Sequence, residues 1–171
     1  MAIEATYLGM KLSITDADTD NREYFHYCAR HELRLQACCE CGLLRYPPTT
    51  GCPWCSEPKS IWTPVEGRGT VHSYEQVHHA IQPAFKEHTP YLVLLVELDT
   101  QRGIPSEHEA LRVIGNLTDR DGRLASADVV SKVGIGSRMV LTFADVSSEI
   151  AIPQWTLDEA ANQPDSVWRY P

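Results

Sequence analysis

The sequence predicts a mainly β protein with a short helical segment, a cysteine-rich ribbon, a barrel-forming β domain and an extended tail. Three observations lead to this fold class. Two Cys-x2-Cys pairs stand ten residues apart in a segment rich in Pro, Gly and Thr. Five short runs of β type follow them, separated by turn signals. The chain has 171 residues, of which 43% are hydrophobic, and this is enough for one ordinary domain with a real core.

The first predicted part, residues 1 to 36, is a helical segment. From Asn21 to Leu35 apolar side chains recur roughly at helical spacing, with charged residues between them. This pattern predicts one amphipathic helix, capped by Asp18 or Asp20, whose carboxylate would accept a hydrogen bond from a free backbone N–H. Such a helix packs either on its own domain or on a neighbouring chain.

Residues 37 to 60 form the predicted ribbon, which contains Cys38, Cys41, Cys52 and Cys55. Each Cys-x2-Cys turn directs two sulfurs at one point, and two such turns supply the four tetrahedral thiolates that suit zinc. Four protein ligands leave no position for water or substrate, so the predicted zinc is structural. Iron in a rubredoxin-type site uses the same geometry, and reduced core cysteines are the remaining alternative.

The other two cysteines, Cys28 and Cys39, do not fit this spacing and are interpreted as small buried residues. The first residues lack the pattern of a signal peptide, so we expect a cytoplasmic protein, where thiols stay reduced and available to metals. The longest apolar stretch, Tyr91 to Val96, has the length of a strand and not of a membrane span.

Residues 61 to 153 contain the predicted β domain. The predicted strands are Gly69–His78, Tyr91–Asp99, Leu111–Leu117, Arg138–Asp145 and Glu149–Ile152. In the first of these, side chains alternate with period two, as in a half-buried strand. Residues 126–133 predict a short helix between the third and fourth strands. Five strands with a helix at this place are the layout of an OB barrel.

The tail, residues 154 to 171, is predicted to be an extended arm because Pro153 interrupts regular structure before it. It carries Trp155, Trp168 and Tyr170, which are large side chains of the kind that anchor protein interfaces.

Composition and motifs argue against two classes of function. The net charge of −8 opposes sequence-independent binding to nucleic-acid phosphates. No catalytic motif of the metalloprotease, serine-hydrolase or phosphate-loop type is present, and we assign no catalytic residue. His72, His78 and His79 could hold a ligand, and a small hydrolase or lyase would use His78 or His79, although strand histidines are more often merely half-exposed. Activity by this chain alone is therefore not expected.

The motifs, taken in order, resemble those of a known family. They are the amphipathic helix, Cys-x2-Cys-Gly, Tyr46-Pro47-Pro48, Cys-Pro-x-Cys, Gly-Arg-Gly-Thr-Val, Pro90-Tyr91 before Val-Glu-Leu, Gly134-Ile-Gly136-Ser137 and Ile152-Pro153. This ordered set covers residues 21 to 155 and resembles the acyl-CoA-associated zinc-ribbon/OB-fold family. The resemblance implies a rubredoxin-like zinc ribbon packed on an OB barrel, with the four cysteines named above as zinc ligands.

The resemblance also implies a function. Members serve as the non-catalytic accessory subunit of a thiolase-superfamily enzyme, which is a thiolase, a hydroxymethylglutaryl-CoA synthase or a lipid-transfer-type aldolase. The implied assembly is a hetero-oligomer that binds or channels acyl-CoA, without nucleic acid or membrane. This chain departs from the family pattern in Cys39, in an insertion at Gln101–Glu109 and in its tail, which are candidates for setting partner choice.

Arg68, Lys86 and Arg138 are the candidates for contacts with CoA, because guanidinium and ammonium groups bind phosphates. The glycines on either side of Arg68 let the chain turn sharply, and we expect its side chain to be free to meet an anion. The alternative function is a single-stranded nucleic-acid-binding zinc-ribbon/OB module. It would need a basic strand face interleaved with exposed aromatic residues.

Overall fold

The computed structural model describes residues 2–170 and begins with a β-hairpin that the sequence interpretation missed. Its strands are β1 (Ile3–Tyr7) and β2 (Met10–Ile14). The turn residues Leu8 and Gly9 have φ of 50° and 84°, the left-handed conformation that tight hairpin turns need. Their pairing places the larger apolar residues of both strands on one face. The N-terminal segment is therefore a hairpin followed by a helix, and not a helix alone.

Helix α1 spans Thr19–Cys28 and is shorter than predicted. Asp18 caps it, as one of the two predicted candidates, and accepts a hydrogen bond from the N–H of Asn21 at 3.1 Å. The helix cannot continue to Leu35 because His31 adopts a left-handed φ of 56°. In the part of the chain that the structure describes, no helix is long and apolar enough to cross a membrane.

The ribbon is a three-stranded antiparallel sheet of β3 (Arg34–Cys38), β4 (Leu44–Arg45) and β5 (Ser60–Pro64). The order of the strands in the sheet is β4-β3-β5. This sheet begins before residue 37 and ends after residue 60, because its strands flank the cysteine turns on both sides. The residues that follow the helix therefore belong to the ribbon.

The second half of the chain folds into a five-stranded sheet. Its strands are β6 (Arg68–Val77), β7 (Tyr91–Leu98), β8 (Arg112–Asn116), β9 (Arg138–Asp145) and β10 (Ala151–Leu157). They lie in the order β10-β9-β6-β7-β8. A 3-10 helix (Pro83–His88) follows β6, and helix α2 (Ala127–Val130) lies between β8 and β9. A parallel bridge from Leu117 to Trp155 joins the outer strands and closes the sheet. The predicted mainly β fold with an OB domain is confirmed.

The last strand is longer than predicted, and this corrects the interpretation of the tail. Strand β10 runs through Pro153, so Trp155 lies inside the barrel and not in an extended arm. The Trp155 side chain is fully buried, and its Nε1 donates to the carbonyl of Val113 at 3.2 Å. Proline is tolerated because β10 is a terminal strand of the ladder and pairs with the segment after β8 only at the Trp155 bridge.

One apolar core is centred on the barrel and extends to helix α1 and the ribbon through Tyr24, Leu35 and Leu44. Strand β7 alternates between buried and half-buried residues along its whole length. Its four inward side chains are fully buried: Leu92, Leu94, Val96 and Leu98. Burial of one such side chain stabilises the fold by about 1.5–3 kcal/mol.

The tail after β10 folds back onto the barrel. The N–H of Ile135 donates to the carbonyl of Trp168 at 2.9 Å. The guanidinium of Arg169 donates to the carbonyl of Val130 at 2.7 Å and to Oε1 of Gln76 at 2.9 Å. The end of the tail is thus fixed to the α2 side of the barrel.

The ribbon and the barrel are joined at several points. Helix α1, which leads into the ribbon, packs against β10. Nε2 of His31 lies 2.7 Å from Oδ1 of Asp145, and the imidazole stacks on the ring of Phe143 with centroids 5.1 Å apart. These contacts fix the ribbon beside the closing strand of the barrel.

Candidate metal centre and surrounding surfaces

The ribbon brings together Cys38, Cys41, Cys52 and Cys55, whose Sγ atoms all lie within 4.8 Å of one another. The Sγ atoms of Cys38 and Cys55 are 3.5 Å apart, and those of Cys41 and Cys52 are 3.6 Å apart. Thiolates at about 2.3 Å from a tetrahedral ion lie about 3.8 Å from one another. The four sulfurs can therefore hold a metal ion.

Each pair of cysteines is shaped by the same kind of tight turn. The N–H of Gly42 donates to the carbonyl of Cys38 at 3.0 Å, and the N–H of Ser56 donates to that of Cys52 at 2.9 Å. Gly42 and Ser56 have φ of 74° and 64°, which is the left-handed region. Gly42, which follows the first cysteine pair in the sequence, is a common turn residue, whereas a serine such as Ser56 gives no comparable signal.

The electrostatics of the cluster favour a cation. Burial alone raises the pKa of Cys52, but hydrogen bonds from the N–H groups of Cys55 and Trp54 and from neighbouring thiols lower it to about 6. A backbone hydrogen bond from Glu57 lowers the pKa of Cys55, but burial and the other cysteine side chains raise it to about 12. A backbone hydrogen bond from Cys41 also lowers the pKa of Cys38, and for Cys41 a backbone hydrogen bond from Leu43 is outweighed by burial and the neighbouring thiols, which raise its pKa. Two thiols of the cluster thus ionise more readily than a free cysteine and two less readily, because thiolates this close repel one another. A bound dication removes this repulsion and lets all four thiols ionise.

The two remaining cysteines have different environments. Cys28 is fully buried, and burial raises its pKa to about 12, so its thiol is a poor nucleophile. Cys39 is exposed, which corrects the interpretation that it is a buried residue. The physical reason is its position inside the first turn. Cys38 and Cys41 supply their sulfurs to the cluster, so a residue between them is left on the outer side.

A buried polar network that the sequence interpretation missed joins the ribbon to α1. Arg45 and Gln36 are only 2% and 3% exposed. Nε of Arg45 donates to Oε1 of Gln36 at 2.9 Å, and its Nη2 donates to the carbonyl of Thr49 at 3.0 Å. Nε2 of Gln36 donates in turn to Oδ1 of Asp20 at 3.1 Å. One amide therefore links the helix, the ribbon sheet and the loop before the second cysteine pair.

Two of the three CoA candidates are bound to carboxylates. Arg68 pairs with Asp158 and lies 3.0 Å from Glu66, so the expectation that it is free is wrong. Nη1 of Arg138 donates to Oδ1 of Asp99 at 2.8 Å. This hydrogen bond lowers the pKa of Asp99, which therefore stays ionised. Both arginines therefore pair with carboxylates of the barrel and connect its strands.

The third candidate and the histidines lie elsewhere on the surface. Lys86 is exposed on the 3-10 helix. His78 and His79 are exposed in the bend after β6, whereas His72 lies within β6 at a bulge, 3.9 Å from Glu97. Among the described residues, only the four cysteines form a group with metal-ligand proximity. The histidines therefore form no such site.

An open apolar groove of about 260 Å³ lies between α1, the ribbon and the barrel. Its walls include Tyr24, Phe25 and Tyr46, and its floor includes Val93 and Ile114. Ile114 is 53% exposed there. The groove can accept a narrow apolar group.

The tail presents two aromatic side chains to solvent. Trp168 and Tyr170 are 52% and 61% exposed, with ring centroids 4.6 Å apart at an interplanar angle of 75°. The N–H of Tyr170 donates to the hydroxyl of Tyr74 at 2.8 Å. The aromatic pair, Trp168 and Tyr170, therefore stands on a backbone that the barrel holds on both sides.

A four-cysteine ribbon that packs beside an OB barrel defines the class of this protein. The family described as ChsH2, C-terminal OB-fold domain, matches residues 62–144. A solved structure of the Ltp2-ChsH2(DUF35) aldolase contains a chain that is 30% identical, with a TM-score of 0.64, and the match covers 84% of this chain and 98% of that one. The present chain belongs to the DUF35 family, which confirms the resemblance to an OB-fold, acyl-CoA-associated family.

This chain is also similar to two curated proteins. A protein of Thermomonospora curvata named "Probable enoyl-CoA hydratase alpha subunit" is 33% identical over 136 residues, which are 78% of this chain and 36% of that protein. The present chain thus spans about a third of that relative's length. A DUF35 domain-containing scaffold protein of Methanothermobacter thermautotrophicus is 26% identical over 129 residues, which are 75% of this chain and 84% of the relative.

Proposed function

We propose that this chain is an accessory subunit, without catalytic activity of its own, that docks on a thiolase-superfamily enzyme and helps to hold or channel acyl-CoA. The proposal rests on one observation: the aromatic pair stands in solvent on a backbone fixed by Arg169 and Ile135. Large aromatic side chains on a rigid backbone lose little entropy on binding, and they dominate the energy of protein interfaces.

The names of similar proteins support this proposal. One is called a scaffold protein, one is called the alpha subunit of an enoyl-CoA hydratase, and one DUF35 chain belongs to an aldolase. Each of these names describes a protein that works beside other chains. An accessory role also suits a fold whose candidate metal site is closed by four protein ligands.

We propose zinc as the metal. Cys38, Cys41, Cys52 and Cys55 would hold it, and it would stabilise the ribbon without taking part in a reaction. Metal analysis of the purified chain tests this, with one zinc per chain expected. Iron at the same stoichiometry would contradict zinc while leaving the ligand set intact.

For acyl-CoA, the groove beside Ile114 offers an apolar surface at the ribbon–barrel junction. A CoA phosphate would compete with Asp158 for Arg68 and with Asp99 for Arg138, whereas Lys86 lies exposed. Calorimetry of the assembled complex with acyl-CoA is expected to show weaker binding for Lys86→Gln. The matched control is Lys59→Gln, because Lys59 is also exposed.

Co-expression with a thiolase-superfamily enzyme from the same genome tests the accessory role. We expect the two chains to co-elute from a sizing column and the enzyme to need this chain for full turnover. The double variant Trp168→Ala with Tyr170→Ala is expected to fold, keep its metal and lose the partner. His108→Ala is the control, since its side chain is 86% exposed in another loop.

Co-elution that survives loss of both aromatic residues would contradict the docking surface. Turnover by this chain alone, abolished by His78→Ala or His79→Ala, would contradict the accessory role. The nucleic-acid alternative gains no support from the barrel, because the exposed Glu75 on β6 would repel phosphates and the arginine Arg112 is already paired with Glu97 on β7. Tight, salt-dependent binding of single-stranded DNA would reverse that conclusion.

A further inference from the structure

One side chain ties the inserted loop between β7 and β8 to the ribbon. Oε1 of Gln101 accepts a hydrogen bond from the N–H of Leu44 at 2.7 Å, and Nε2 of Gln101 donates to the carbonyl of Leu44 at 3.0 Å. Leu44 belongs to β4, an outer strand of the ribbon sheet. The amide of Gln101 therefore satisfies both backbone groups that a neighbouring strand would otherwise pair.

The same loop has a second fixed point on the barrel. Nη2 of Arg102 donates to Oδ1 of Asp99 at 2.6 Å and to Oγ1 of Thr70 at 3.1 Å. Beyond these residues the loop projects into solvent, with Ile104 53% exposed and the side chain of Glu107 83% exposed. The projecting tip is thus positioned by one contact to the barrel and one to the ribbon.

The contact to the ribbon lies next to the cysteine cluster. The N–H of Cys38 donates to the carbonyl of Leu43 at 3.0 Å, and Leu44 pairs with Ala37 beside it. Strand β4 has only two residues, so few other hydrogen bonds keep it in the sheet. Anything that opens the first cysteine turn would displace the backbone that Gln101 binds.

We propose that Gln101 makes the position of the 101–110 loop depend on the metal state of the ribbon. With the metal bound, β4 stays in register and holds the amide, so the loop tip is fixed. Without the metal, β4 loosens and the loop keeps only its contact to the barrel. This inference rests on the proposed metal site, and it names a coupling between that site and the loop between β7 and β8.

The backbone at Gln101 suggests a clean variant. Its φ is 62°, a conformation that glycine adopts without strain. Gln101→Gly therefore removes the side-chain amide and leaves the backbone free to keep its course. His108→Ala is the matched control in the same loop, because that side chain is 86% exposed.

The experiment uses the full, metal-loaded chain. Hydrogen exchange of the Leu44 amide and the rate of tryptic cleavage after Arg102 are measured for the wild type and both variants, before and after chelation. For Gln101→Gly we expect an unchanged metal content and about ten-fold faster exchange of the Leu44 amide, as removal of two part-buried hydrogen bonds should give. Cleavage after Arg102 should become faster as well. Chelation of the wild type should produce the same loop cleavage, whereas His108→Ala should behave like the wild type.

Two results would overturn the proposal. One is Leu44 exchange and Arg102 cleavage that do not change in Gln101→Gly. The other is chelation that opens the ribbon and leaves cleavage after Arg102 slow. Purification of a folded chain that binds no metal would overturn the metal site and the coupling together, and the glycine variant would still show whether Gln101 positions the loop.

Discussion

The ribbon and the barrel are built from the same kind of antiparallel strand, yet different interactions hold them together. The ribbon has three strands, of which β4 has two residues, and its centre is four cysteines and a buried arginine. The barrel has five strands of five to ten residues around a core of leucine, valine and Trp155. A sheet as small as the ribbon cannot bury enough apolar surface to be stable alone, so it depends on a metal and on its neighbour.

Removal of a metal ligand should give the largest difference in stability between the ribbon and the barrel. We expect Cys41→Ser to lose the metal and unfold the ribbon, because structural zinc supplies about 10–16 kcal/mol of binding free energy to such sites. The barrel should keep its β-sheet signal in circular dichroism. Cys39→Ser is the matched control, since Cys39 is an exposed neighbour and should retain the metal. Full metal retention in Cys41→Ser would show that the ligand set is wrong.

The converse change removes the centre of the barrel. Trp155→Ala should lower the free energy of unfolding by about 3–5 kcal/mol, as large cavities in a core do. Trp168→Ala removes the same ring from an exposed position and should cost far less. Denaturant unfolding, followed together with metal release, measures both variants. Equal losses for the two tryptophans would contradict the placement of Trp155 in the core.

A smaller effect is expected where the ribbon meets the helix. Gln36→Ala leaves the buried Nε of Arg45 and the N–H of Thr49 without their acceptor. Unsatisfied buried donors cost about 1–3 kcal/mol, so the variant should release its metal to a chelator faster than the wild type. Gln82→Ala, at an exposed glutamine, is the control. Unchanged release in Gln36→Ala would mean that the network does not support the ribbon.

The smallest expected difference between the ribbon and the barrel is in how their stability responds to acid. The hydrogen bond from Arg138 lowers the pKa of Asp99 below its ordinary value of 3.8. The ion pair therefore stabilises the barrel fully above that pH. This stabilisation is lost as the pH falls through the lowered pKa. Because Asp99 is partly exposed, the effect should be below about 1 kcal/mol. Protons compete with the metal for thiolates already at a higher pH.

Stability measured between pH 2 and pH 5 should therefore show metal release before the barrel weakens. Asp99→Asn should flatten the acid limb of the barrel transition, and Asp165→Asn should not. A barrel that unfolds at the same pH as metal release would remove this difference between the two regions.

The spacing and alternation of neighbouring residues were enough to predict the cysteine cluster and the central strands of the barrel. Cysteine spacing indicated the cluster, alternation with period two indicated β6, and an apolar run of strand length indicated β7. The β1–β2 hairpin shows the same alternation, but the segment was interpreted from its later helical residues. Pro153 was treated as a breaker, although an outer strand accepts it.

The remaining misses depend on tertiary structure. Nothing in the sequence around Arg45 indicates burial, because its partners Gln36 and Thr49 become neighbours only when the sheet forms. The ion pairs of Arg68 and Arg138 likewise depend on Asp158 and Asp99, which lie on other elements. A charged residue can be assigned to a ligand only when its protein partners are known.

The bridge from Leu117 to Trp155 also determines which truncated fragments can form a closed barrel, and at what stage of synthesis the barrel can close. The family match ends at residue 144, but a fragment ending there lacks all of β10. Such a fragment would expose the free backbone edges of β8 and β9, which are templates for aggregation. During synthesis the chain is in the same state until residues 151–157 leave the ribosome. The order of translation therefore makes β10 the last strand to become available, and the barrel can close only after nearly the whole chain has been made.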